Sequence, residues 1–149
     1  MLGELNEMQV NNLLSSQAIG RIGCNNGNQN YIVPVTYAFD GKDIFFQSHE
    51  GTKLKMMRRN SKVCFQVDMI LNMANWQAVL AFGTFHQLKG KAALNAYDYL
   101  HNRVLPLMTS STIHAHEHEV LGETEHSTLH KPIMCRISIN SKTGRFEKQ

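Results

Sequence analysis

The stretch Ile44-Phe45-Phe46-Gln47-Ser48-His49-Glu50-Gly51-Thr52-Lys53-Leu54-Lys55 changes character twice. Ile44, Phe45 and Phe46 are strong strand formers, and Asp40-Gly41 just upstream reads as a hairpin turn. The chain then becomes small and polar from Ser48 to Thr52. From Lys53 to Asn60 it holds no Gly, Pro or β-branched residue, and Leu54 and Met57 share a face, which predicts a short helix with Thr52 as its N-cap. A strand that passes through a polar loop into a helix start is a natural anion site. The first helical N–H groups lack internal partners and point at the loop. Ser48, His49 and Thr52 add side-chain donors, and Lys53 adds a positive charge. The competing reading is a capped helix after a hairpin, with Lys53 solvated.

Upstream, Tyr31 to Phe39 alternates cleanly: Tyr31, Val33, Val35, Tyr37 and Phe39 on one face, Ile32, Pro34, Thr36 and Ala38 on the other. Pro34 cannot donate to a ladder, so this strand is expected at an edge or with a bulge there. A bulge would free backbone groups near Val35 and Thr36. Arg21 to Cys24 predicts a brief strand, joined to Tyr31 by an Asn-rich turn. Leu5 to Ser16 predicts a helix capped by Asn6, with Gln9 completing a capping box and Val10, Leu13 and Leu14 as its buried stripe.

Downstream, Val63 to Asp68 reads as a strand. Trp76 to Leu88 reads as a strand apolar enough for burial on both faces, with Gly83 marking a bulge or a close approach. Ala93, Tyr97, Leu100 and Val104 define an amphipathic helix over Lys91 to Leu107. Ile133 to Ile139 is a last clear strand; Asn140 to Gly144 predicts a turn and Arg145 to Gln149 a short strand or a frayed end. Hairpin connections dominate, which argues for an antiparallel barrel with helices around it, in one domain over residues 1–149.

Charged residues make up only 18% of the chain, a share that suggests a surface partly covered by a second subunit. The net charge of +3 is dispersed, apart from Lys53, Lys55, Arg58 and Arg59. That cluster suits one small anionic ligand rather than nucleic acid, which needs a denser basic stripe. Cys24, Cys64 and Cys135 form no Cys-x-x-Cys pair, so no disulfide framework is expected. Glu4 and Glu7 stand where a signal peptide needs basic residues, and no apolar run is long enough for a bilayer. A cytoplasmic location without membrane contact is expected.

Taken in order, Tyr31 to Tyr37, Ile44 to Leu54, Arg59-Asn60-Ser61-Lys62-Val63-Cys64-Phe65, Val79 to Gly83 and Cys135 to Ile139 with Thr143-Gly144 resemble the FMN-binding split β-barrels related to pyridoxamine 5′-phosphate oxidase. The branch they look most like holds the nitroimidazole-resistance (Nim-type) flavin-nucleotide-binding proteins. This resemblance implies a homodimer with two FMN sites at the subunit interface. It implies that Ser48, His49, Thr52 and Lys53 meet the flavin phosphate. Val35, Thr36 and Gln47 would lie along the ring and ribityl chain, and Trp76 and Gln77 would approach from the partner. Nim-type proteins commonly carry a His where this chain has Gln47. The arginines that hold substrate phosphate in true pyridoxamine-phosphate oxidases have no counterpart near the C-terminus, so that activity is not expected.

His114-Ala115-His116-Glu117-His118, with His126 and His130, could grip a transition metal on either a strand or a helix. No Cys or acidic ligand stands at a recognised spacing, so no native metal site is assigned. No catalytic side chain is assigned either, because a bound flavin supplies its own redox chemistry. The expected function is an FMN-dependent oxidoreductase that reduces a small acceptor such as a nitroaromatic. The alternative is a non-catalytic flavin or haem carrier or sensor on the same barrel.

Overall fold

A computed structural model describes residues 1–107 and 132–149. Among them the order is β1 (Leu2–Glu4), α1 (Glu7–Ser16), β2 (Ile19–Asn25), β3 (Asn30–Phe39), β4 (Asp43–Ser48), α2 (Thr52–Arg59), β5 (Lys62–Asn72), β6 (Asn75–Gln87), α3 (Gly90–Val104), a 3-10 turn at Leu105–Leu107 and β7 (Ile133–Glu147). The strands lie in the order β1-β7-β4-β3-β2-β5-β6, and β6 also pairs with β7. That last pairing closes the sheet into an antiparallel barrel.

Closure rests on alternation. Ile22, Tyr37, Ile44, Phe46, Phe65, Val67, Val79 and Ile137 are almost fully buried and fill the inside. A one-residue slip of any of these strands would turn its apolar set outward. Tyr37 packs edge-on against Phe65, with ring centroids 4.8 Å apart. Its hydroxyl donates to the Leu14 carbonyl at 2.6 Å, tying α1 to the barrel. That helix starts as predicted: the Asn6 side chain accepts from Gln9 N–H, and the Gln9 side chain accepts from Asn6 N–H. Outside the barrel, Ala96, Leu100 and Val104 of α3 pack with Ala38 and Met134 in a second cluster.

One open alternative is resolved and three expectations are corrected. Pro34 sits on a local edge and not in a bulge. It faces Arg21 in an unbroken β2–β3 register, and β3 is registered with β4 only over Tyr37–Phe39. Tyr37 N–H donates toward β2, at Ala18, so by alternation position 34 points away from β2 and the missing N–H costs no ladder bond. β6 is not buried on both faces: Val79 and Ala81 are interior, whereas Phe82 is 47% exposed, because a barrel strand has an inside and an outside. Residues 140–144 do not turn; β7 runs on to Glu147 along β6. Gly144 is there for close packing, since a Cβ would lie 2.8–2.9 Å from Leu5 and Val10 side-chain atoms. Finally, Thr52 is the first residue of α2 and Gly51 its N-cap, with no side-chain capping bond. Gly83, read as a bulge or a close approach, shows both: the β6–β7 register shifts beside it, and a Cβ there would run into the Ser138 carbonyl oxygen.

Candidate functional site

Beyond Phe46 the neighbouring strands part. β3 stays beside β2, whereas Gln47 and Ser48 of β4 follow β7, paired with Met134 and Ile133. The start of α2 stands at the opening. The result is a cleft of about 400 Å³, within the size range of small-molecule sites. Five positions singled out from the sequence line it: Val35, Thr36, Gln47, His49 and Lys53. Pro34 and Leu100 complete the wall.

Lys53 is the electrostatic centre. It is half-buried, and burial pushes its amine below the ordinary lysine range; the nearby Cys135 and Cys24 thiols oppose that shift. Among the described residues no carboxylate pairs with it. A partly desolvated cation without a counter-ion favours an arriving anion. The start of α2 adds to this. Lys55 N–H bonds back to Gly51 at 3.1 Å, and no side chain caps the N–H groups before it. Those groups are the donors that helix starts offer to phosphate.

The only acid in the loop, Glu50, is turned to Arg58, with both guanidinium nitrogens at 2.7–2.8 Å from its oxygens. The Arg58 hydrogen bond holds the Glu50 carboxyl below its usual range. Arg58 Nε also donates to Gln87 at 3.0 Å.

Not every predicted side chain reaches the cleft. Ser48 is 3% exposed on the interior face of β4, and its hydroxyl donates to the His49 carbonyl at 3.0 Å. Thr52 is exposed and does not line the cleft. Val35 does line it, but its backbone faces Gly20 across the β2 ladder. Trp76 and Gln77 border a separate recess of about 530 Å³, with Leu5, Met69 and Phe146, and Trp76 Nε1 donates to Glu147 at 3.3 Å. One chain by itself does not bring them to Lys53. The His-rich segment from His114 to His130 lies outside the described residues, and among those described no group of His, Cys, Asp or Glu is placed to hold a metal. Cys24, Cys64 and Cys135 are free thiols.

One residue escaped the sequence reading. His101, buried in α3, places Nε2 3.2 Å from Gln47 Oε1, and its ring lies against Tyr97 with centroids 3.9 Å apart. A signal existed: His101 follows Tyr97 by one helical turn, on the buried stripe already drawn through Leu100 and Val104.

Residues 6–145 match the family model described as pyridoxamine 5′-phosphate oxidase. An uncharacterized protein of Rhizobium meliloti is 34% identical over 70 residues, which span 47% of this chain and 46% of that protein, so the match covers about half of each. Among solved structures, an FAD-binding protein from Mesorhizobium loti superimposes with a TM-score of 0.78 at 22% identity, over 100% of this chain and 98% of that one. A candidate 5-nitroimidazole antibiotic resistance protein from Bacteroides thetaiotaomicron gives 0.72 at 12% identity, over 98% and 87% of the two chains. The FAD- and haem-binding protein from Mycobacterium smegmatis gives 0.73 at 12% identity, over 99% and 74%. These structural likenesses are likenesses of fold, that of the split barrel.

Proposed function

This chain belongs to the pyridoxamine 5′-phosphate oxidase family, and on that premise we propose that it binds FMN in the Lys53 cleft and acts as a flavin-dependent oxidoreductase. One observation carries the reading: a half-buried amine with no carboxylate partner among the described residues, beside a helix start that no side chain caps. A phosphate monoester satisfies both. The residues fit the group. Lys53 and the first N–H groups of α2 would hold the phosphate, with His49 as a further donor at the rim. Gln47 and the β3 edge at Val35 and Thr36 would flank the rest of the cofactor. Bound FMN would supply redox chemistry, directed here at a small oxidised acceptor such as a nitroaromatic.

The same reading has the chain working as a cytoplasmic homodimer, with the cleft finished by Trp76 and Gln77 from a second copy. Large apolar side chains left in water support a covered surface: Ile32 is 70% exposed and Phe82 47%. No helix among the described residues is long and apolar enough to cross a membrane.

The absorption spectrum of the purified protein tests the cofactor. Flavin bands, with FMN released on denaturation, are expected; a Soret band without flavin would transfer the site to haem. Oxidation of NADH or NADPH coupled to a nitroaromatic then separates an enzyme from a carrier. Trp76→Ala is expected to weaken dimerisation or FMN retention, read by light scattering and flavin stoichiometry. An unaltered dimer at full occupancy would remove Trp76 from the site.

A further inference from the structure

Gln47 has the cleft on one side and a buried histidine on the other. Its Oε1 lies 3.2 Å from His101 Nε2. A carbonyl oxygen has no proton to give, so this contact is a hydrogen bond only when Nε2 carries the hydrogen and the imidazole donates. The histidine is itself held: it is 5% exposed, its ring lies against Tyr97, and Leu100 and Val104 on either side of it are buried in the α3 cluster. A glutamine amide in solution turns either end to a ligand. Here the carbonyl end is engaged, and the amide NH₂ meets no protein acceptor among the described residues.

We propose that His101 is a positioning residue that grips Gln47 by its carbonyl, so that position 47 presents an N–H donor to the cleft and selects a ligand with a lone pair facing it. The cleft then offers donors from every polar direction described above: the Lys53 ammonium, the α2 N–H groups and the Gln47 amide. An acceptor-rich ligand is satisfied by this set, whereas a ligand that directs an N–H or O–H at Gln47 leaves two donors opposed. For FMN, carbonyl oxygens or unprotonated ring nitrogens are the atoms that suit position 47. The assignment rests on the FMN reading only for the identity of the ligand. The grip of His101 on Gln47 does not depend on it.

The test therefore has one arm without ligand and one with it. In the full chain, nitrogen NMR of the ligand-free protein is expected to show neutral His101 as the Nε2–H tautomer. An Nδ1–H tautomer would overturn the proposal whether or not FMN binds. In FMN titrations, His101→Leu is expected to weaken binding about three- to tenfold, the scale of one neutral hydrogen bond. His101→Gln, which can still donate, is expected to recover most of it. In a Gln47→Leu background, His101→Leu should cost nothing further. An equal loss in that background would show that His101 acts through packing alone, and would also overturn the proposal. If the wild-type chain binds no FMN, the cofactor reading fails, and the tautomer still decides the role of His101.

Discussion

Lys53 and Arg58 stand five residues apart in sequence on one short helix, and their surroundings could hardly differ more. Arg58 is exposed at the C-terminal end of α2, where cations suit the helix dipole, and it is matched by Glu50 in a two-pronged ion pair. Lys53 stands in the first turn, where the dipole disfavours a cation, and it is partly desolvated, with no carboxylate beside it among the described residues. Among the described residues, one charge is neutralised by a carboxylate and the other is not. Local sequence would rank the two alike, as basic residues of one cluster. Their environments separate a charge matched by a carboxylate from one that the proposed phosphate would match.

The largest expected effect comes from removing the unmatched charge. Lys53→Ala should weaken FMN binding by about 1–3 kcal/mol, the range for a charge-assisted hydrogen bond, as measured by fluorescence titration. Unchanged affinity would place the phosphate elsewhere and erase the contrast with Arg58. A smaller effect is expected in the ligand-free protein as a function of pH. The Lys53 amine titrates below its unfolded value of 10.5, so the unfolded chain binds more protons in the window between the two values. The penalty for burying the charge is in full force below the folded-state value and is relieved as pH rises toward 10.5. Denaturant melts should therefore show a stabilising slope across that window in wild type, and none from this source in Lys53→Met. Smallest of the three is Arg58→Ala. It releases Glu50 beside the proposed phosphate, so FMN affinity should fall less than for Lys53→Ala, with the loss fading at high salt. Adding Glu50→Gln should restore it; a loss that persists in the double variant would mean that Arg58 itself reaches the ligand.

Much of the cleft was legible before any fold was known. The passage from Ile44 to Lys55 announces a strand, a polar loop and a helix start, and these are local properties: β propensity, absence of breakers, and unpaired N–H groups in a first turn. The capping box at Asn6 and Gln9 and the alternation through Tyr37 are equally local. Side-chain direction was harder. Ser48 looked like a donor because it is a hydroxyl in the loop, yet the two-residue period of β4 turns it inward with Ile44 and Phe46. Read strictly, the same period could have shown that Gln47 and Ser48 face opposite ways.

Other features belong to contacts between distant parts of the chain. The turn expected at residues 140–144 gave way to a strand because β6 supplies partners on both sides of a single register shift at Asn140, and a ladder outweighs local turn preference. Gly144 serves α1, which lies at the far end of the chain. His101 finds Gln47 across 54 residues, a pairing that no spacing rule encodes. Sequence alone therefore determined most of the strands and helices and the place where a strand passes through a polar loop into a helix start beside Lys53, because those follow from neighbouring residues. Only the closed barrel decided which side chains share the cleft, because facing direction and long-range partners are set by the register of strands that meet from opposite ends of the chain.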